Sequence, residues 1–231
     1  MGRPSEPIID VARVVEEALT MIDEGGLKAL SMRGLGRRIG INPASLYHHF
    51  HNKDDLLESV RAEIFRRIKL PARMGSKSWD EQLIILGKTF RATLTDHPNA
   101  MNLVAASNPA RMRLMGHPLY EGVLKSLLAA GFDETQAAYL LTGVEIMSIG
   151  SAMQEAGLGR KLNYGPVDKE RFPNLHRVSQ AKHQDITQSF VLHVQDFISG
   201  AGMRMLGDNR PKTGATKSPT TKSRRTATAA T

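Results

Sequence analysis

Residues 31–60 contain two short helical patterns separated by a three-residue turn, and this spacing constrains the fold more than any other feature of the chain. Ser31 can cap a first helix, and Gly40 ends it where the backbone must adopt a positive φ. Asn42 is a natural N-cap for a second helix. Pro43 suits the first position of that helix because its missing N–H costs nothing there. The pattern predicts a helix-turn-helix unit.

The same region is locally basic. No Asp or Glu occurs between Gly25 and Lys53, although residues 1–60 as a whole have seven Lys and Arg against nine Asp and Glu. Cationic side chains that neutralise phosphates release condensed counterions, so a face of this kind favours binding to a nucleic-acid duplex. The cations of this acid-free stretch are Lys28, Arg33, Arg37, Arg38 and Lys53.

At these residues the chain resembles the TetR family of transcriptional repressors. The family's recognition helix has a leucine and a tyrosine, followed by a histidine, an apolar residue and a lysine. Here these are Leu46, Tyr47, His49, Phe50 and Lys53. The resemblance spans residues 8–65. It implies an all-α fold in which an N-terminal three-helix helix-turn-helix DNA-binding domain precedes a larger helical ligand-binding and dimerisation domain.

The resemblance also implies roles for single residues. Arg33 matches a position from which some members reach a base, and Pro43 begins the leading end of the recognition helix. Tyr47 and Lys53 match contacts to the phosphate backbone. Ser31 matches a further phosphate contact at a helix N-terminus, which is a physically favourable anion site. The predicted DNA-contacting set is Ser31, Arg33, Asn42, Pro43, Ala44, Ser45, Tyr47, His48, His49 and Lys53.

Gly34 and Gly36 depart from the family pattern, which prefers better helix formers such as alanine in the supporting helix. Each glycine costs roughly 0.5–1 kcal/mol relative to alanine in a helix interior. Two explanations are open. Either the two helices approach unusually closely, or the supporting helix is soft without DNA.

Helical periodicity continues through most of the remaining chain. Asn52 can cap a longer connecting helix, and Ser78 with Glu81 forms a capping box. The last 25 residues lack large apolar side chains and have six Lys and Arg against one Asp. We expect a helix-turn-helix DNA-binding domain over residues 1–60, a helical effector-binding and dimerisation domain over 61–206, and a basic disordered tail over 207–231.

Two long helical patterns, one after Asp133 and one around Phe190, resemble the helices that pair between subunits in TetR-like proteins. A homodimer is also expected because a short DNA-reading helix needs a two-fold partner to cover two half-sites. The alternative is ordinary packing within one chain. The residues expected at the dimer interface are Gly143, Met147, Ser151, Phe190, Val194, Phe197 and Ala201.

A ligand pocket is expected around a methionine-rich segment and a later carboxylate. Methionine adapts to varied apolar ligands, although it fills ordinary cores equally well. Glu145 lies in an otherwise uncharged run, where a buried carboxylate needs a partner or a shifted pKa. Three roles are open for it: contact with a polar group of an effector, an ion pair with Arg or Lys across the dimer, or exposure to water. The expected effector-contacting residues are His97, Met101, Met112, Met115, His117, Tyr139 and Glu145.

Other classes of protein have little support. The absence of cysteine excludes disulfides, thiol nucleophiles and cysteine-ligated zinc, and no cofactor or metal is expected. Nucleotide-binding loops, the nucleophile elbow and the HExxH zinc motif are absent, so we expect no enzyme. The N-terminus lacks the apolar core of a signal peptide, and no segment is apolar enough to span a bilayer, so a cytoplasmic location is expected.

The resulting hypothesis is a homodimeric repressor that binds a palindromic double-stranded DNA operator and is released by a small-molecule effector. One alternative is an architectural or weakly specific DNA-binding protein, which would show no preference between sequences at fixed salt. Another is a helical enzyme or carrier with a DNA-binding head. Its ligand binding or turnover would survive deletion of residues 1–60.

Overall fold

The computed structural model describes residues 10–105, 117–159, 165–180 and 185–207, and this part of the chain folds into α-helices with two short 3-10 turns. The expected all-α class is confirmed. The helices are α1 (Val11–Gly25), α2 (Met32–Ile39), α3 (Pro43–Leu46), α4 (Lys53–Arg66), α5 (Trp79–Asp96), α6 (Met101–Ala105), α7 (His117–Ala129), α8 (Glu134–Leu158), α9 (Pro173–Ser179) and α10 (Ile186–Leu206).

The helix-turn-helix is built by the caps that the sequence predicts. Ser31 Oγ accepts a hydrogen bond from the Gly34 amide at 3.0 Å, and Asn42 Oδ1 accepts one from the Ala44 amide at 3.0 Å. Gly40 ends α2 in the left-handed conformation with φ of 74°. These contacts satisfy amides that have no partner inside their own helix, so α2 and α3 begin at fixed residues.

Helix α4 joins this head, formed by α1–α3, to the body that follows. Its first half contributes Leu56 and Val60 to the buried core of the head. Its last turn places the Phe65 ring against Phe90 of α5, with ring centroids 5.6 Å apart. One buried core therefore runs from α1 through α4 into α5 and α6, so the head is packed onto the body rather than tethered to it.

Three helices of the body, α5, α8 and α10, pack closely through glycines. A Cβ atom at Gly87 would lie 2.8 Å from Val144 Cγ1, and one at Gly143 would lie 2.4 Å from Phe197 Cζ. Ser148 Oγ also donates a hydrogen bond to the Gly87 carbonyl at 3.2 Å. The small residues of α8 thus serve close packing inside one chain.

Most residues expected at the dimer interface also have contacts within their own chain. Phe190, Val194 and Ala201 face inward on α10 and are buried in the core of their own chain, and Phe190 also lines part of an outer groove between α8 and α10. Gly143 and Phe197 pack against each other, and Ser151 accepts a hydrogen bond from Arg91 of α5. The outer groove is nevertheless lined by expected residues: Gly143, Met147 and Phe197 line one part of it, and Met147, Ser151 and Phe190 line the other.

No helix of the described ranges is long and apolar enough to cross a membrane. The predicted tail lies outside the described residues from residue 208 onward.

Candidate nucleic-acid interface

The recognition helix α3 has one inward and several outward side chains. Leu46 is fully buried in the head, whereas Tyr47 is 53% exposed. Ala44, His48 and His49 are exposed, and Pro43 and Ser45 are half-buried. Because Leu46 anchors the helix from below, its neighbours form a surface that can meet a groove of DNA.

Two of the five cations in the acid-free stretch have internal partners. Arg38 forms hydrogen-bonded ion pairs with Glu17 and Glu24 of α1, with Nη2 2.8 Å from Glu24 Oε1. These bonds raise the pKa of Arg38 above its ordinary range and lower the pKa of Glu24. Glu17 and Glu24 are seven residues apart on one face of α1, so one guanidinium from α2 reaches both.

Lys53 is the second of these cations that has a partner within the chain. Its Nζ donates hydrogen bonds to the carbonyls of Leu27 at 3.1 Å and Leu30 at 2.6 Å, and so holds the loop between α1 and α2. The sequence predicts a place for Lys53 on the basic surface only. Every residue has a backbone carbonyl, so the sequence does not show which carbonyls will accept from Lys53. This contact could not be predicted from the pattern of side chains.

The remaining cations, Lys28, Arg33 and Arg37, are exposed. Arg33 and Arg37 lie four residues apart and therefore on one face of α2. Neither forms an ion pair within the described parts of the chain. The positive surface of the head is thus smaller than composition suggests and concentrated on α2 and the loop before it.

Gly36 decides between the two explanations for the glycines of α2. A Cβ atom there would lie 3.1 Å from the Ile41 carbonyl oxygen and 3.1 Å from Pro43 Cγ. The supporting and recognition helices therefore approach unusually closely at this residue. A Cβ atom at Gly34 would instead meet only Ser31 Oγ at 2.8 Å and Met21 Cε at 3.6 Å.

His97, which was expected to contact an effector, lies at the junction between head and body. Its Nδ1 is 2.8 Å from Asp23 Oδ2 of α1, and its Nε2 is 3.3 Å from Nη1 of Arg67, the residue that follows α4. A guanidinium can only donate, so Nε2 accepts and Nδ1 carries the proton that is given to Asp23. Asn99 reinforces the junction by donating to the Asp23 carbonyl at 2.7 Å.

The other expected effector residues do not surround one described cavity. Met101 is buried in the core that head and body share. Tyr139 is half exposed on the outer side of α8, with its ring 5.6 Å from that of Phe197, whereas Glu145 is only 4% exposed. The exposed alternative for Glu145 is therefore excluded. Met112, Met115 and the side chain of His117 lie outside the described residues.

The body contains a buried arginine, Arg91, that was not predicted from the sequence to be a site residue. The Arg91 side chain on α5 is 6% exposed, its Nε donates to Ser151 Oγ at 2.8 Å, and its guanidinium also pairs with Glu155. The guanidinium carbon lies 5.5 Å above the centre of the Phe190 ring. Arg91 follows Phe90 and precedes Leu94 by three residues, and both are buried on α5, so its place beside these apolar residues is the sequence feature that indicates burial.

An outer groove runs between α8 and α10. One part has a volume of about 510 Å³ and is lined mainly by apolar side chains, including Tyr139, Ile146 and Phe197. A second part of about 390 Å³ is more polar and includes Gln154 and His193. Large apolar side chains are exposed on both helices, at Tyr139, Ile146 and Met153 on α8 and at Leu192 and Met203 on α10.

Family models match both halves of this architecture. The model described as bacterial regulatory proteins of the tetR family matches residues 14–60, and the model described as the tetracyclin repressor-like C-terminal domain matches residues 70–200. A helix-turn-helix head packed on a helical body defines a class of DNA-binding regulators. The chain belongs to the TetR family of transcriptional regulators.

Individual relatives and a solved structure are consistent with this family assignment. An HTH-type transcriptional regulator of Saccharopolyspora erythraea is 30% identical over 152 residues, which are 66% of this chain and 63% of the relative, so the match spans less than two thirds of that protein. The class E tetracycline repressor protein of Escherichia coli is 26% identical over 156 residues, 67% of this chain and 72% of the repressor. The solved structure of the TetR family protein ActR of Streptomyces coelicolor, in complex with actinorhodin, has the same fold. Its TM-score is 0.68 at 24% identity, with coverage of 87% of this chain and 99% of ActR.

Proposed function

We propose that this protein is a homodimeric transcriptional repressor whose head reads a palindromic operator and whose body binds a small molecule that weakens operator binding. The observation that carries the proposal is the one-turn helix α3, held from below by fully buried Leu46 and presenting exposed Tyr47 beside a basic α2. Such a helix fits the major groove, and a two-fold partner would place a second one about 34–36 Å away.

The proposed DNA contacts divide by chemistry. Arg33 reads a base edge, and the leading end of α3 meets neighbouring bases. Ser31 and Asn42 mark helix N-termini, which favour phosphate. Lys53 uses two of its three N–H donors for loop carbonyls, which leaves one for phosphate. The remaining proposed contacts are Pro43, Ala44, Ser45, Tyr47, His48 and His49.

The proposed dimer interface is the outer face of α8 and α10. Ile146 and Met153 on α8 and Met203 on α10 are exposed apolar side chains that a second copy would remove from water. The groove between the helices, with Met147 at its centre, would receive side chains of that copy. No Asp, Glu, Lys or Arg other than buried Glu145 occurs between Thr135 and Gln154, so this face of α8 contains no exposed charge that would oppose burial.

The proposed effector site is inside the body, which would comprise residues 61–206, while residues 1–60 form the head. Glu145 gives the interior a polar group, and ligand sites typically combine apolar walls with a few such groups. The complex of ActR with actinorhodin is an example of a small molecule held by this fold. The ligand would act by favouring a body conformation with another separation of the two heads, and a full switch needs about 5.5 kcal/mol of differential affinity. The protein would act without catalysis, in the cytoplasm.

Selection of bound fragments from random duplex DNA, followed by affinity measurements at fixed salt, tests the proposal. We expect a two-fold symmetric sequence with half-site centres one helical turn apart and an affinity at least about a thousandfold above that for random DNA. Equal affinity for all sequences would favour the architectural alternative. Ile146→Asp should give a monomer by sedimentation and abolish operator binding, whereas a dimeric Ile146→Asp variant would contradict the proposed interface.

A further inference from the structure

We propose that Gly36 is a positioning residue: it sets the distance between α2 and the leading end of α3 and thereby determines which base sequence the head prefers. This inference rests on the proposed operator-binding function. It concerns a residue that would touch no DNA and would act through its contacts with Ile41 and with Pro43, the first residue of α3.

The contact at Gly36 leaves no room for a side chain. Gly36 is buried, and its carbonyl accepts a hydrogen bond from the Ile41 amide at 2.9 Å. A Cβ atom would lie 3.1 Å from the Ile41 oxygen, 3.1 Å from Pro43 Cγ and 3.2 Å from Pro43 Cα. Ordinary contacts between carbon atoms lie at about 3.5–4.0 Å, so α2 and α3 would have to separate by several tenths of an ångström.

Side-chain rotation cannot provide that space. Two of the three facing atoms belong to the backbone, and the third is in a proline ring that is fixed to its own backbone. Because α3 has only four residues, a displacement of Pro43 is passed directly to Ala44 and Ser45. These residues form the end of α3 that would face the bases.

Base reading and phosphate binding respond differently to such a displacement. Hydrogen bonds to base edges hold within a narrow range of distances, about 2.7–3.2 Å. Long cationic side chains such as Arg37 adjust to a moved phosphate. A shift at Pro43 should therefore lower the affinity for the preferred sequence and leave the affinity for random DNA almost unchanged.

Gly34 provides a matched control in the same helix. A Cβ atom there meets Ser31 Oγ and Met21 Cε, both at the ends of flexible side chains, and no atom of α3 within 4 Å. Gly34→Ala and Gly36→Ala therefore bring the same gain in helix propensity. Only Gly36→Ala places its new methyl group against α3 and displaces that helix. Any disturbance of the Ser31 cap by Gly34→Ala should change specific and random affinities by the same factor.

The experiment compares the full-length protein with its Gly36→Ala and Gly34→Ala variants on the sequence selected by the unaltered protein and on random duplex, by fluorescence anisotropy at one salt concentration. We expect the ratio of specific to random affinity to fall roughly tenfold in Gly36→Ala, the size of one mismatched base pair, and to stay constant in Gly34→Ala. Reselection from random DNA with Gly36→Ala should yield a changed base at one or more positions.

An unchanged ratio and an unchanged selected sequence in Gly36→Ala would overturn the inference while leaving the operator function intact. Absence of any sequence preference in the unaltered protein would overturn the operator function itself. If Gly36→Ala fails to fold, Pro43→Ala removes the facing Cγ atom. The Gly36→Ala/Pro43→Ala double variant should then regain folding and approach the selectivity of Pro43→Ala, and failure to do so counts against the proposed contact.

Discussion

The helix-turn-helix of the head and the helical body hold their helices together by contacts of different range. In the head, the caps at Ser31 and Asn42 and the close approach at Gly36 all join residues within eight positions of one another. In the body, Arg91 bonds to Ser151 and Gly87 accepts from Ser148, across 60 and 61 positions. The turn from α2 to α3 can therefore form from contacts between near neighbours in the sequence. Arg38 and Lys53 fix α1 and α4 against it across 14 to 26 positions, and the body likewise acquires its shape only when distant helices meet.

The junction between the head and the body combines apolar packing with hydrogen bonds. Phe65 and Phe90 join the cores by apolar contact, and His97 adds hydrogen-bonding contacts to Asp23 and Arg67. A change in the body near His97 would thus reach α1 and α4 directly. This gives the proposed effector response a physical route through packed residues.

The largest expected effect comes from removing the anchor of the recognition helix. Leu46→Ala leaves a cavity at a fully buried position and should lower the free energy of unfolding by about 2–5 kcal/mol. Chemical denaturation followed by circular dichroism, at fixed protein concentration, measures this change. Tyr47→Ala, at the exposed neighbouring residue, should leave stability nearly unchanged and weaken DNA binding; equal destabilisation by both variants would contradict the orientation of α3.

A comparable effect is expected in the body from its buried ion pair. Arg91→Met leaves Glu155 without its cation and Ser151 without a donor, and should cost about 3 kcal/mol of stability. Glu155→Gln keeps a hydrogen-bond acceptor beside Arg91 and should cost less. Thermal unfolding of the two variants checks the order, and a larger loss in Glu155→Gln would show that Arg91 is not the element that joins α5 to α8.

A smaller effect is expected at the glycine contact between α8 and α10. Gly143→Ala forces the Phe197 ring to move and should destabilise the protein by about 1–3 kcal/mol. Gly122→Ala is the matched control because Gly122 lies in α7, where an added Cβ atom would have no neighbour within 4 Å. It should stabilise by roughly 0.5–1 kcal/mol, and a loss of similar size in both variants would remove the special role of Gly143.

The same difference of range explains how far the sequence could predict the structure. Capping residues and Gly40 give α2, α3 and their turn because each acts on its own neighbours. For the body, periodicity identifies long helices but not the face that each one buries. Phe190 and Val194 were therefore expected at a dimer interface, whereas they fill the core of their own chain. The two carbonyl partners of Lys53 could not be predicted either, because every residue has a backbone carbonyl and the sequence does not distinguish between them.

The smallest effects concern the charges of the head, where the structure gives two adjacent arginines different roles that the sequence does not distinguish. Arg37 is exposed on α2, and Arg37→Ala should weaken binding to all DNA sequences alike. The slope of the logarithm of affinity against the logarithm of salt concentration should fall by about one, because one phosphate contact is lost. Arg38→Ala removes the clamp to Glu17 and Glu24, so it should lower thermal stability and change the salt dependence less. Affinity measured over a series of salt concentrations distinguishes the two variants, and identical salt slopes would refute this division.

The Arg38 clamp also predicts a dependence on pH. The hydrogen bond from Arg38 lowers the pKa of Glu24 in the folded protein below its ordinary value of 4.5, so the clamp contributes stability above that value. This contribution is lost as the pH falls through the lowered pKa of the folded state, because protonation then occurs in both states. Glu24→Gln removes the titrating group, and the melting temperatures of Glu24→Gln and the unaltered protein should converge as the pH drops below 4.5. A difference that stays constant through that interval would mean that the ion pair with Arg38 does not stabilise the folded head.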